Sequence, residues 1–252
     1  MLALVREVSP ALGRCELTHL ERLPIDPARA ADQHRDYTRA LQTLGCTLEW
    51  LPALPEYPDS VFVEDTAVVL DAIAVVTRPG ASSRRGETPS VAAALERHRR
   101  VVHIAAPGSL DGGDVLHVDR TLYVGTSART NAQGIAELER LLQPHGQRVR
   151  ATALQGCLHL KSAVSFIPPD TVLLNPAWVD PTVFAGLRVV AVDEREPYAA
   201  NTLTIGGTTL ISAAYPRTRQ RVEAAGVRTQ ALDVGELHKA EGALTCMSLL
   251  LE

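Results

Sequence analysis

Length, composition and charge indicate a globular protein and exclude several functions. The 252 residues suit one large or two small domains, and a hydrophobic share of 46% is enough to fill a sizeable core. The net charge of -4 and the scattering of the basic residues argue against a nucleic-acid surface, so we expect no nucleic-acid partner.

The N-terminal residues and the cysteines bear on the compartment. The stretch MLALVREVSP predicts no secretory leader, because Arg6 and Glu7 interrupt its apolar run too early. No run of about 18 apolar residues occurs, so we expect no membrane span and no membrane partner. The cysteines lack the C-x-x-C spacing of a zinc or redox site; they are Cys15, Cys46, Cys157 and Cys246. We therefore expect a cytoplasmic protein with free thiols.

Paired apolar strands recur along the chain. The predicted hairpins are DTAVVLDAIAVVTRPG from Asp65, GGDVLHVDRTLYVG from Gly112, KSAVSFIPPDTVLLNP from Lys161 and NTLTIGGTTLISAAYP from Asn201. Helical patterns lie between several of them, in PSVAAALERHRR, NAQGIAELERLLQPHG and PRTRQRVEAAG. A further helical pattern, DPARAADQHRDYTRALQTLG, precedes the first hairpin.

The spacing of these units predicts a ring. They repeat at about 40 to 50 residues, which is typical of radial or stacked arrays. If CMSLLLE pairs with LALVREV, a fifth unit forms and no terminal strand edge is left alone. We predict a single catalytic domain over residues 1–252, a five-bladed α/β propeller of ββα-type units. An open α/β sheet, which also alternates strands and helices, is the alternative.

Polar residues open each predicted hairpin. In a propeller these positions converge near the central channel. One polar residue before a strand is usually turn chemistry, but a thiol, an imidazole and several carboxylates at one end predict a functional site. The residues are Glu64 and Asp65, Asp111 to Asp114, His159 to Ser162, Asn201, and Cys246.

This set of groups favours a cationic substrate. A thiol with a pKa near 8.5 is only about 3% thiolate at neutral pH, and nearby carboxylates oppose its ionisation. A substrate cation would pair with the acids and lower the thiol pKa on binding. A guanidinium fits best, because it is planar, stays protonated and carries an electrophilic carbon between its N–H donors. His159 could then serve as acid and base around Cys246.

Seven motifs carry a resemblance to a known family. They are DSVFVEDTAVV, TRPGASSRRGE, LDGGDVL, SARTN, LHLKSA, YAAN and LTCMSLL, and they span nearly the whole chain in register. The sequence resembles the dimethylarginine dimethylaminohydrolases, of the guanidine-modifying pentein superfamily, whose fold is a five-bladed α/β propeller. The resemblance implies a hydrolase that converts dimethylarginine or monomethylarginine to citrulline and dimethylamine or methylamine.

The resemblance also implies catalytic roles. Cys246 in TCMS would attack the guanidinium carbon and form an S-alkylthiouronium intermediate. His159 in LHLKS would protonate the leaving amine and later activate water. Asp111 in LDGGD matches the acid that orients the histidine, so its carboxylate should reach the ring.

Seven further residues match the substrate contacts of the family. They are Asp59, Glu64 and Asp65 around the guanidinium, Arg84 and Arg129 on the α-carboxylate, and Leu17 and Ala240, the latter through its backbone. Two arginine guanidinium groups, each with paired N–H donors, suit the binding of one carboxylate. Asp65 is our first choice for direct pairing over Glu64, since alternate residues of a strand face opposite ways.

Several alternatives stay open from the sequence. Arginine or agmatine deiminases pair the same residue types, but we expect FTRD in them where this chain has FVED, and arginine deiminases carry an extra helical domain. A methyl group discriminates by only about 1 to 3 kcal/mol, so the choice among methylated and unmethylated arginine is open. The alternative from another functional class is a non-catalytic propeller that binds cationic ligands without turning them over.

We expect neither metal nor cofactor. Cys157 and His159 are only two candidate ligands, and no H-E-x-x-H occurs. Asp114 could simply shape a turn beside its glycines. The expected partner is a small-molecule substrate, a methylated arginine, with a homodimer as a further expectation.

Overall fold

Five three-stranded sheets share one topology in the computed structural model, which describes residues 1–252. The strands are β1 (Leu2–Val5), β2 (Thr47–Trp50), β3 (Ala67–Val69), β4 (Ile73–Val76), β5 (Arg100–His103), β6 (Val115–Val118), β7 (Thr121–Thr126), β8 (Arg148–Ala153), β9 (Val164–Ile167), β10 (Thr171–Leu174), β11 (Arg188–Ala191), β12 (Leu203–Ile205), β13 (Thr208–Ser212), β14 (Arg228–Leu232) and β15 (Leu249–Leu251). In every sheet the middle strand pairs antiparallel on one side and parallel on the other.

The helices begin where the sequence supplies caps. They are α1 (Pro27–Thr43), α2 (Thr88–Leu95), α3 (Ala132–Leu142), α4 (Leu160–Ala163), α5 (Pro216–Ala224) and α6 (Gly235–His238). The Asp26 carboxylate accepts the first amides of α1, and the Asn131 amide oxygen caps α3. All four predicted helical stretches form helices, but α2 ends at Leu95 and the arginines after it lead into β5. None of the helices is long and apolar enough to cross a bilayer.

The pairing of the two terminal strands closes the ring, as predicted. β15 runs antiparallel to β1, with Leu2 opposite Leu251 and Leu4 opposite Leu249. β1 in turn pairs in parallel with β2, so the fifth sheet has the same form as the other four. The five-bladed α/β propeller is therefore confirmed, and the open sheet is excluded.

The repeating unit has one strand more than the predicted ββα unit. A third strand follows the connecting segment of each blade and pairs in parallel with the middle strand. These outer strands are half-exposed and polar, as in Arg100–His103, so they lack the apolar pattern that revealed the hairpins. In the blade of β9, β10 and β11 the connection is the 3-10 turn Pro181–Phe184 and not an α-helix.

The inner strands position the site. β3, β6, β9, β12 and β15 line a central cavity along the ring axis. Short helical turns precede four of them: Val63–Thr66, Gly112–Asp114, α4 and Thr245–Met247. The turn Val63–Thr66 contacts both Gly112–Asp114 and Thr245–Met247, and α4 contacts Gly112–Asp114. The polar residues that open the hairpins thus converge at one end of the axis, as the sequence predicts.

Candidate active site

Cys246 lies in the turn Thr245–Met247 directly before β15. Its side chain is half-buried, whereas the other three cysteines are buried. Burial raises the pKa of the Cys246 thiol above its ordinary value, and the carboxylates of Glu64 and Asp65 raise the pKa further. The sulfur therefore stays a neutral thiol until a positive charge approaches it.

Thr245 fixes the backbone next to this thiol. Its N–H donates to Asn201 Oδ1 at 3.0 Å, and its Oγ1 accepts from Asn201 Nδ2 at 2.9 Å. The Thr245 hydroxyl donates to Glu64 Oε2 at 2.7 Å. Lys161 Nζ donates to the other oxygen of Glu64, also at 2.7 Å. Both carboxylate oxygens of Glu64 are therefore held, one by Lys161 and the other by the residue directly before Cys246.

Glu64 and Asp65 do not lie in a strand, contrary to the prediction. Val63–Thr66 is a 3-10 turn and not part of a strand, so the alternation of strand residues does not decide between the two acids. Both side chains are buried at the axis. Glu64 is hydrogen-bonded to Lys161 and Thr245, whereas Asp65 faces His159.

His159 lies between two carboxylates at the start of α4. Its Nε2 lies 3.0 Å from Asp111 Oδ2, and its Nδ1 lies 3.8 Å from Asp65 Oδ1. Burial alone would lower the pKa of His159, but three surrounding carboxylates outweigh it and raise the pKa to about 9. These belong to Asp65, Asp114 and Asp111. The ring is an imidazolium at neutral pH.

Asp111 contacts both the ring of His159 and a backbone amide. This residue is fully buried; its Oδ2 reaches the ring, and its Oδ1 accepts the Gly80 N–H at 2.9 Å. Because the bond to Asp111 occupies Nε2, the other ring nitrogen, Nδ1, is directed towards Asp65.

Asp114 does more than shape a turn. Its Oδ1 accepts the Leu160 N–H at the start of α4, directly after His159, at 3.0 Å. Its Oδ2 accepts the hydroxyls of Ser127 and Thr130. Burial raises the pKa of Asp114 to about 6. The sequence placed this residue among the converging acids, but its link to the histidine became visible only in the fold.

Gly113 lets the histidine approach the turn closely. A Cβ on this residue would lie 2.7 Å from both His159 Nδ1 and Asp65 Oδ1. Such contacts are shorter than any side chain tolerates. The LDGGD motif therefore supplies space as well as acids. Asp65 accepts the Gly113 N–H at 3.0 Å, and despite burial, His159 and Arg84 lower the pKa of Asp65 to about 2.

The two predicted arginine clamps have different surroundings. Arg84 is buried, and its Nε and Nη2 atoms are bonded to Glu87 and to backbone carbonyls of Asp59 and Phe62. Its Nη1 donates to Asp65 Oδ2 at 2.5 Å, which leaves one Nη1 hydrogen for a ligand. Arg129 is less engaged, since its Nη2 donates to Thr18 Oγ1 at 3.3 Å and its Nη1 lies 3.7 Å from Asp111 Oδ2.

The remaining predicted contacts lie at the mouth of the site, in or beside residues 16–20, called here the mouth segment. Asp59 Oδ2 accepts the Glu16 N–H at 3.1 Å, which ties the mouth segment to the acid. Burial raises the pKa of Asp59 to about 6, although Arg84 acts in the opposite direction. The carbonyl oxygens of Leu17 and Ala240 accept no hydrogen bond from within the chain.

Three of the site atoms are spaced closely enough to hold a metal ion. Ligand atoms of Asp65, Asp111 and His159 lie within 4.8 Å of one another. In this structure Arg84 and the imidazolium supply the positive charge that balances these carboxylates. Their arrangement is therefore explained without an ion.

The chain is similar to known proteins over almost its whole length. A family model described as "N,N dimethylarginine dimethylhydrolase, eukaryotic" matches residues 21–176. The N(G),N(G)-dimethylarginine dimethylaminohydrolase of Streptomyces coelicolor is 42% identical, covering 99% of this chain and 96% of that protein. The protein of the same name from Pseudomonas aeruginosa is 37% identical and covers 89% of both.

The fold and the sequence lead to the same family. A solved structure of the DDAH from Pseudomonas aeruginosa in complex with citrulline matches this fold with a TM-score of 0.94, at 35% identity and over 98% of both chains. With this likeness, the family-model match and the converging thiol, imidazole and acids, the chain belongs to the dimethylarginine dimethylaminohydrolase family.

Proposed function

We propose that the protein hydrolyses the methylated guanidinium of Nω,Nω-dimethyl-L-arginine, and of monomethylarginine, to citrulline and the corresponding amine. The observation that carries the proposal is the surroundings of His159. An imidazolium held by Asp111 faces Asp65 at the end of the axis where Cys246 presents a neutral thiol. These are the groups that an amidine hydrolase needs: a nucleophile, an acid and a pocket for a cation.

The binding residues divide between the two ends of the substrate. Asp65, together with the neighbouring Glu64, is the proposed partner of the guanidinium. At the other end, Arg129 and the remaining Nη1 hydrogen of Arg84 are the proposed donors to the α-carboxylate. The unbonded carbonyls at the mouth and the carboxylate of Asp59 suit the α-ammonium.

In the first step the bound substrate activates the cysteine that attacks it. The guanidinium lowers the pKa of the Cys246 thiol by adding a positive charge among the acids, and the thiol proton leaves to solvent. The thiolate forms a bond to the guanidinium carbon, and the bond from that carbon to the dimethylamino nitrogen breaks. His159 gives its Nδ1 proton to this nitrogen, so dimethylamine leaves and a thiouronium remains on Cys246.

In the second step the neutral histidine acts as a base. His159 takes a proton from water, and the resulting hydroxide adds to the thiouronium carbon. The carbon to sulfur bond then breaks, and the proton of the added hydroxyl passes to the departing sulfur, which releases citrulline and restores the neutral Cys246 thiol. Asp111 keeps the ring in one orientation through both proton transfers because its bond is to Nε2.

Product analysis tests the reaction directly. The protein is incubated with asymmetric dimethylarginine, arginine and agmatine in turn, and citrulline, carbamoylputrescine, dimethylamine and ammonia are measured. We expect citrulline and dimethylamine in equal amounts from dimethylarginine, and neither from the Cys246→Ser variant. No product from any substrate would contradict the hydrolase. A higher rate of ammonia release from arginine would identify a deiminase.

Three properties beyond the site complete the proposal: a single catalytic domain over residues 1–252, a cytoplasmic location and a homodimer. The buried free thiols of Cys15, Cys46 and Cys157 suit a reducing compartment. The half-exposed Trp50 on the outer strand β2 offers an apolar contact for a second copy. One cooperative unfolding transition is expected for a single domain, and a solution mass of 27.1 kDa would contradict the dimer.

A further inference from the structure

The carboxylate of Glu241 gathers three consecutive backbone amides of the mouth segment. Its Oε2 accepts the Thr18 N–H at 3.0 Å, and its Oε1 accepts the N–H groups of His19 and Leu20 at 2.5 and 2.6 Å. More than 220 residues of sequence separate the two partners. A carboxylate that accepts several backbone amides makes strong, charge-assisted bonds.

Glu241 occupies a backbone conformation that favours glycine. Its φ is 57°, in the left-handed region, and Asp119 is the only other non-glycine residue with a positive φ. The carboxylate could not be carried by the neighbouring Gly242 instead, because a side chain there would place its Cβ 2.1 Å from the ring of Phe62. Position 241 therefore carries a long side chain although its backbone conformation favours glycine.

Two carbonyls without a donor directly precede the residues that the Glu241 bonds join. Leu17 directly precedes the first captured amide, and Ala240 directly precedes Glu241 itself. The carbonyl oxygens of both residues lack a donor within the chain. The same segment is tied to Asp59 through the Glu16 N–H and to Arg129 through the Thr18 hydroxyl.

We propose that Glu241 is a positioning residue for recognition of the substrate's α-ammonium group. By holding residues 18–20, it fixes the Leu17 carbonyl beside the Ala240 carbonyl, so that both can accept from the ammonium. Glu241 then governs affinity for the amino-acid end of the substrate and leaves the chemistry at the guanidinium carbon unchanged. This inference rests on the proposed function, because it assumes an amino-acid substrate.

Kinetics of a glycine variant test the inference without straining the backbone. Glu241→Gly removes the carboxylate at a φ that glycine favours, so the fold should be kept. We expect KM for dimethylarginine to rise about tenfold with kcat within about twofold of the wild type. The desamino analogue, which keeps the methylated guanidinium and the carboxylate, should show the same kcat/KM in both proteins. The matched control is Glu21→Ala, an exposed acid beside the mouth segment, which should change neither substrate's kinetics.

Hydrogen exchange separates positioning from a direct charge effect. Amides of the mouth segment should exchange faster in Glu241→Gly than in the wild type, and Glu241→Gln, which keeps one acceptor oxygen, should lie between them in exchange and in KM. The inference would be overturned if Glu241→Gly lost kcat/KM equally for dimethylarginine and for its desamino analogue. Unchanged hydrogen exchange of the mouth segment in Glu241→Gly would also overturn it. So would a Gln variant as defective in KM as the Gly variant but with wild-type exchange.

Failure of the proposed function gives a different result. If the wild type turns over none of the guanidinium substrates, the function is wrong, and the exchange experiment still decides whether Glu241 holds the mouth segment. If the wild type is active and only the predicted selectivity for the ammonium is missing, the function stands and the inference falls.

Discussion

Asp111→Asn removes one of the three carboxylates around His159 and nearly conserves shape. The amide oxygen can still accept from Nε2, so the ring keeps its orientation while the negative charge is lost; the amide nitrogen cannot accept the Gly80 N–H, so that bond is lost as well. The substitution therefore tests the charge on Asp111 separately from its position. We expect the histidine to hold its acid proton less tightly.

The expected size follows from the contact at 3.0 Å between two buried groups. A hydrogen bond to a charged group contributes about 1.5 to 3 kcal/mol. Since a tenfold change in proton affinity corresponds to about 1.4 kcal/mol, the imidazolium should bind its proton about ten to a hundred times less tightly. The pKa of His159 then falls from about 9 towards the neutral range, because Asp65 and Asp114 still face the ring.

Two measurements follow the proton. Nuclear magnetic resonance titration of the imidazole reports the pKa itself, and the alkaline limb of the pH profile of kcat/KM reports it in the active protein. Both should shift towards neutral pH in Asp111→Asn. Asp36→Asn, an exposed acid on α1, should shift neither. If the variant lost activity while both pKa readouts stayed near 9, the reasoning about charge would be refuted.

Three more outcomes follow from the site. Cys246→Ser should abolish turnover, with a loss of about 1,000-fold or more, and should retain citrulline binding by calorimetry, since the acids and arginines are intact. Gly113→Ala should reduce kcat at least about tenfold, because its Cβ would lie 2.7 Å from His159 Nδ1, whereas Gly13→Ala, in open space, should leave kcat unchanged. Stability should fall with rising pH in the Cys246→Ser background: the pKa of His159 is raised from 6.5 to about 9, so its contribution is complete below pH 6.5 and is lost as pH rises through about 9. Urea unfolding across that range measures the loss, and a flat profile would contradict the raised pKa.

The hairpins and their convergence could be predicted from sequence because both depend on local signals. Apolar alternation marked the inner and middle strands, and the polar residue before each inner strand marked the end of the axis. The outer strands could not be found in this way. Arg100–His103, for example, pairs in parallel with β4 across an intervening helix and carries little apolar pattern of its own.

Site details that depend on side-chain direction were not predictable. The relative orientation of Glu64 and Asp65 followed from a 3-10 turn that no strand pattern reveals. Asn201 was visible as the polar start of a hairpin, but its bonds to Thr245 require the ring to be closed. The left-handed φ of Glu241 had no sequence signal, because glycine follows it at position 242 and does not occupy position 241.

Trapping the covalent intermediate tests the central claim most directly. The protein is mixed with dimethylarginine, quenched in acid during turnover, and analysed by intact-mass and peptide mass spectrometry. We predict an adduct on Cys246 whose mass equals dimethylarginine less dimethylamine, and none in Cys246→Ser. Steady citrulline release with an unmodified Cys246, in a time course that resolves single turnovers, would contradict the account.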